Sequence, residues 1–177
     1  MQKKSPKFET IQSYPLVIIC LHWLTVCLVI LAYITSAHPI QDHWMGQTHV
    51  IAGTAVLIIF CLRLLMIFYY RHQLPASDQL SALQQKAFKM MKFLLYVFLC
   101  LVPILGWLAL SSVVSNFMIF NISVPLLHLA DRHFWPDIHQ ICANLFISLV
   151  GLHATAALIH HFVLRDQVLK SMWLRKK

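Results

Sequence analysis

Residues 138–161 read IHQICANLFISLVGLHATAALIHH. The stretch contains no Lys, Arg, Asp, Glu or Pro. As a helix rising about 1.5 Å per residue it crosses the ~30 Å hydrocarbon core of a bilayer. Two histidines, His139 and His153, lie inside it fourteen residues apart. That spacing is close to four helical turns, so both side chains leave one face of the helix, about 21 Å apart along its axis. A single imidazole on an apolar helix is more often a hydrogen-bonded packing group than a ligand. Two in register, in a segment that excludes charge, ask for partners on neighbouring helices.

The neighbours are legible as three further apolar runs, 16–37, 49–70 and 93–113, with the quoted stretch extending to 164. The chain has 177 residues, 59% hydrophobic and 11% charged, against roughly 45–50% and about 25% in an ordinary soluble domain. Such a composition cannot coat a water-soluble globule, and disordered, collagenous and disulfide-scaffold classes are excluded with it. The expectation is an all-α, integral membrane four-helix bundle, a single domain over residues 1–177 with short loops and tails. Pro39, Pro75, Pro125 and Pro136 sit between the runs, and Pro103, inside the third, is a candidate kink. The five cysteines all lie in apolar stretches and form neither a CxxC pair nor a CxxCH motif. They read as small buried apolar side chains rather than metal or covalent haem ligands. The N-terminal run follows Glu9 and Pro15 and lacks a small-residue cleavage site, so it reads as a retained span.

The net charge of +8 does not form one patch, which argues against nucleic acid. Lys3, Lys4 and Lys7 precede the first run. Arg71, Lys86, Lys89 and Lys92 fall between the second and third. Arg165, Lys170, Arg175, Lys176 and Lys177 follow the fourth. The two other connections hold only Arg132. By the positive-inside rule both termini and the middle loop are cytoplasmic, in a bacterial inner membrane. Loops 38–48 and 114–137 then face the periplasm.

This topology pairs the histidines by depth. His49 opens the second span and His139 the fourth, both at the outer boundary. His22 and His153 both lie near the inner boundary. Intramembrane ionisable groups are costly and usually functional. Two facing imidazoles at one depth suit the axial positions of a haem b in an apolar slot between helices, so the expectation is two haem b groups per chain. Neutral imidazole is the metal-binding form. A divalent-metal site is the competing use of His, but such sites recruit carboxylates or thiolates, and the four runs contain no Asp or Glu. Gly53, one turn after His49, can admit a flat macrocycle, or simply pack a helix. Arg63, fourteen residues after His49, points down the same face at inner depth, where it can pair with a propionate or snorkel to the interface. Gly106 and Gly151 read as packing positions.

The words LHWL around His22, HVIAG around His49 with Arg63 following, IHQ around His139 and GLHATAALIHH around His153 resemble the bacterial cytochrome b561 family of four-helix dihaem membrane cytochromes. The resemblance covers nearly the whole chain. It implies His22 with His153, and His49 with His139, as the two ligand pairs. It further implies electron exchange with the ubiquinone pool, and oxidation of superoxide to dioxygen at the periplasmic side. There is one departure. Relatives tend to carry an HxxH arrangement at the start of the third span, where this chain has KAFKMMKF with Lys89 and Lys92. Those lysines, with His160 seven residues after His153, are candidates beside the inner haem or a quinone pocket; His160 can instead sit at the headgroups.

In the outer loops His38, His43, His128, Arg132 and His133 raise the local positive potential, and Asp42, Asp131 and Asp137 offset it, so no donor site follows. Trp44, Trp107 and Trp135 read as interfacial belt residues. The segment FMIFNISVPLLHLADRHFW (117–135) is expected as a surface element able to cap the outer haem. The preferred reading is a membrane oxidoreductase that carries electrons from a periplasmic donor, superoxide among the candidates, to ubiquinone. A haem-bearing membrane anchor subunit of a periplasmic dehydrogenase or hydrogenase is the second reading. A His-lined metal transporter is the third, and predicts a colourless protein.

Overall fold

The computed structural model describes residues 13–37, 44–74, 81–119, 122–165 and 169–172. Lys3, Lys4, Lys7, His38, Pro39, Asp42, His43, Pro75 and Arg175 to Lys177 lie outside them. Four helices account for most of the chain: α1 (Leu16–Thr35), α2 (Met45–Tyr69), α3 (Ala82–Val113) and α4 (Phe134–Phe162). Each is long and apolar enough to cross a membrane. Short connections make successive helices antiparallel neighbours. Accordingly α1 packs on α2, α2 on α3 and α3 on α4. Many of the Leu, Ile and Phe side chains on all four helices stay exposed, as lipid-facing residues do.

Three helices begin well before the apolar runs do. α3 starts eleven residues ahead of its run, at a reciprocal capping box: the Ser81 hydroxyl accepts from the Gln84 N–H, and the Gln84 side chain accepts from the Ser81 N–H at 2.9 Å. Hydropathy marks only the hydrocarbon-embedded part, whereas the helix continues through Lys86, Lys89 and Lys92 as long as caps and propensity support it. α2 begins at Met45, and α4 at Phe134. Pro136 therefore lies inside the first turn of α4 and not between elements, a place where its missing N–H costs nothing. Ahead of it Asp131 Oδ1 accepts from the backbone N–H groups of His133 and Phe134, at 3.0 and 2.9 Å. α3 runs on through Pro103, which gives up the hydrogen bond to the Leu99 carbonyl.

A buried core takes Val29 from α1, Val56 and Phe60 from α2, Leu99 from α3 and Phe146 from α4. Phe146 is the one buried residue of α4. Residues 171–172, beyond α4, meet the start of α1 at one end of the bundle. The Tyr14 N–H donates to the Ser171 carbonyl, and the Trp23 indole to the Met172 carbonyl, each at 3.1 Å. Trp23 thus ties the C-terminal turn Lys170–Met172 to α1. At the opposite end the 117–135 segment carries a two-stranded antiparallel hairpin, β1 (Met118–Ile119) and β2 (Ile122–Ser123), in register Met118 to Ser123. The Trp107 indole pins the chain after it by donating to the Pro125 carbonyl at 2.9 Å.

Candidate functional site: two histidine levels

The outer level forms where α2 and α4 begin. The His49 and His139 rings face each other with centroids 6.2 Å apart and planes at 79°. Each ring is held by main chain of a neighbouring helix. His49 Nδ1 lies 2.8 Å from the Ala32 carbonyl of α1, and His139 Nδ1 lies 3.1 Å from the Val102 carbonyl of α3. Ala32 is within the last turn of α1, where carbonyls lack helical donors, so the bond serves both partners. A carbonyl can only accept, so Nδ1 carries the proton in each ring, and Nε2 keeps its lone pair free for a metal.

Both rings line a cavity of about 490 Å³, with Phe98, Leu99, Val102, Phe146 and Ile147 among its apolar walls. Gly46, Gly53 and Gly106 also line it. A Cβ at Gly53 would meet no protein atom within 4 Å, so it would project into the cavity. A Cβ at Gly106 would come within 3.0 Å of His139 Cε1. Gly106 is therefore not a general packing position: its missing side chain seats a histidine ring. Ile119 and Val124 reach the same cavity from the hairpin and the residue after it, so this loop caps its mouth.

The inner level gathers His22 from α1, Arg63 from α2 and His153 from α4. Arg63 acts electrostatically on both imidazoles, and His153 on His22. The Arg63 guanidinium carbon sits 5.6 Å from the centre of the Tyr96 ring of α3, a cation–π contact. Tyr14, just before α1, also feels Tyr96 and Arg63; burial pushes its phenol pKa up, Tyr96 adds to the rise, and Arg63 opposes it. His22 Nδ1 and Arg63 Nε are buried without a hydrogen-bond partner. A buried polar atom left so costs about 1–3 kcal/mol. A carboxylate-bearing group is what an orphaned guanidinium donor at this depth accommodates.

Other candidates fall farther out. Lys89 and Lys92 are exposed on the first turns of α3, with Lys92 Nζ 6.0 Å from the Phe88 ring centre. His160 is half-buried near the end of α4, and the adjacent His161 meets Phe162 edge-on. His128, Arg132 and His133 are exposed in the connection between α3 and α4. Sequence reasoning missed Gly106, Tyr96, Tyr14 and the two carbonyls. The only signal for Gly106 was its place in the third span at the depth of His139.

The outer pair fits haem better than a bare ion. Two metal–imidazole bonds of about 2 Å each, with the ring radii added, need roughly the separation seen between His49 and His139. Among the described residues no three His, Cys, Asp or Glu side chains converge on one point. Two protein ligands per level leave a bare divalent ion under-coordinated, whereas a macrocycle brings the rest of the coordination itself.

A bundle of four membrane-length helices with a facing histidine pair between them suits a membrane-embedded b-type cytochrome. Residues 13–175 match the family model of prokaryotic cytochrome b561, and the chain belongs to that family. It is 30% identical over 172 residues to cytochrome b561 homolog 1 of Escherichia coli (strain K12), covering 90% of this chain and 96% of the relative. It is 28% identical over 174 residues to the probable superoxide oxidase CybB of Yersinia pestis, covering 94% and 98%. The chain is thus a multi-pass inner-membrane protein of a haem-b-binding electron-transfer family.

Proposed function

We propose that the chain binds two haem b groups, the outer between His49 and His139 and the inner between His22 and His153, and carries electrons from a periplasmic donor to ubiquinone. The observation that carries this reading is the outer pair: two rings at metal-spanning separation, each oriented by a backbone carbonyl so that Nε2 is unprotonated. Each haem, when bound, supplies a one-electron carrier. The residues do the rest. The Ala32 and Val102 carbonyls hold the tautomers, the glycines keep the slot flat, and Arg63, braced by Tyr96, offers a cation to a propionate at the inner level. Both termini and the 70–81 connection lie on the cytoplasmic side in this reading.

Superoxide is taken as the donor because a relative matched over nearly its whole length is named a probable superoxide oxidase. Loss of one electron converts superoxide to dioxygen. Two such electrons and two protons convert ubiquinone to ubiquinol. The protons come from the cytoplasmic side in this reading, which assigns His160, Lys89 and Lys92 to hold a quinone carbonyl or pass a proton. The first experiment is a dithionite-reduced minus oxidised spectrum with a pyridine haemochrome count. Two haems b per chain, reduced by superoxide and reoxidised by ubiquinone, are expected. A colourless protein from haem-replete cells would refute the proposal.

A further inference from the structure

Phe146 stands seven residues from His139 and seven from His153, so it marks the midpoint between the two levels, about 10 Å along the helix from each. It is 6% exposed. Its ring stacks on Phe98 of α3, with centroids 6.4 Å apart and planes at 10°. Beside it lie Val29, Val56, Phe60 and Leu99, and Phe60 meets Tyr96 edge-on at 6.0 Å. This is the core to which all four helices contribute. The outer cavity ends on it, since Val29, Val56, Phe98, Leu99 and Phe146 belong to the cavity wall as well. Beyond it begins the polar inner level of His22, Arg63 and His153.

We propose that this aromatic plug is the element that restricts the crossing to electrons. It keeps the water and protons of each level on their own side. A water needs two to four polar partners, and the buried members of the plug offer none. A proton chain would have to break there. Electrons need no such chain, because they tunnel through packed, non-polar matter. The inference rests on reading the two levels as the ends of an electron path. An electron released outside, as superoxide becomes dioxygen, then moves inward alone, and the protons that complete ubiquinol are drawn from the inner side. Each transfer moves one net charge across the bilayer.

The test uses the full haem-loaded chain in phospholipid vesicles, with an entrapped pH dye, an imposed pH gradient, and potassium with valinomycin to clamp the potential. Wild-type vesicles should hold the gradient as long as protein-free ones. Phe146→Ser places a hydroxyl at the midpoint, where a merely apolar void would stay dry, and should collapse the gradient about tenfold faster. Phe146→Leu should remain tight, and all variants should retain an entrapped polar dye, which separates a proton path from a ruptured bundle. If Phe146→Ser does not fold, Phe60→Ser attacks the plug from α2. A leaky wild type, or both serine variants as tight as wild type, overturns the proposal. A haem count on the same vesicles tests the two-haem reading separately; a leak seen only in variants that have lost haem comes from the emptied outer cavity, whose wall Phe146 also forms, and overturns the proposal.

Discussion

The outer and inner levels use the same residue pair in different ways. At the outer level both imidazoles are fastened by main chain, to Ala32 and Val102, and face each other across a defined cavity. At the inner level His22 Nδ1 and Arg63 Nε have no partner, and the guanidinium is steadied by an aromatic face. Backbone carbonyls sit on rigid helices and cannot be mutated away, so the outer level is preorganised. The inner level is organised by side chains and by whatever carboxylate they meet. The outer site should therefore be set by shape, and the inner site by charge.

The sharpest way to break this contrast is to remove one ligand from each level. His139→Ala and His153→Ala should each lower the haem count from two to one per chain, with different components of the reduced spectrum lost. Loss of the same component in both variants would show that the depth pairing is wrong. A smaller effect probes shape. Gly106→Ala forces a methyl group into the His139 ring, and overpacking of that kind costs about 1–3 kcal/mol. That corresponds to roughly five- to 150-fold weaker haem retention at the outer level, measured by competition with apomyoglobin. Gly53→Ala, whose added Cβ meets no protein atom and projects into the cavity, should weaken haem retention without destabilising the haem-free chain.

Charge is probed next. Arg63→Gln removes a cation that disfavours the oxidised haem, so the inner midpoint potential should fall by tens of millivolts while the outer one stays put. Equal shifts in both would mean that Arg63 acts through the fold as a whole. The smallest effect concerns the lid over the outer level. The backbone N–H groups of Phe134 and His133 hold the Asp131 carboxyl below the usual carboxylate range. A depressed folded-state pKa means that this contribution is fully present above the unfolded value and is lost as pH falls through the folded one. The protection factors of the His133 and Phe134 amides, with the intrinsic pH dependence of exchange divided out, should fall modestly on acidification in that range. In Asp131→Ala they should be low at all pH.

Legibility in the sequence followed distance along the chain. The His139 to His153 spacing lies within one helix, so its geometry is set by the helical rise and was readable from residues 138–161. So was the membrane class, because hydropathy sums over local runs. The run 93–113 marked an apolar span and not the start of α3, because an apolar-run reading stops where polarity begins, while the Ser81 to Gln84 box carries the helix further. Gly106 was passed over for a different reason. Its neighbour His139 is on another helix, and a glycine reports what it makes room for only when that neighbour is in place.

By itself, the sequence determined four membrane-length helices and the spacing of the histidines along them, since both depend on local composition and helical rise. Only the tertiary structure decided which atom of each outer ring is free, what Gly106 accommodates, and that Tyr96 braces Arg63. Those are contacts between helices, set by the rotation of one helix against another, to which the periodicity of a single span is blind.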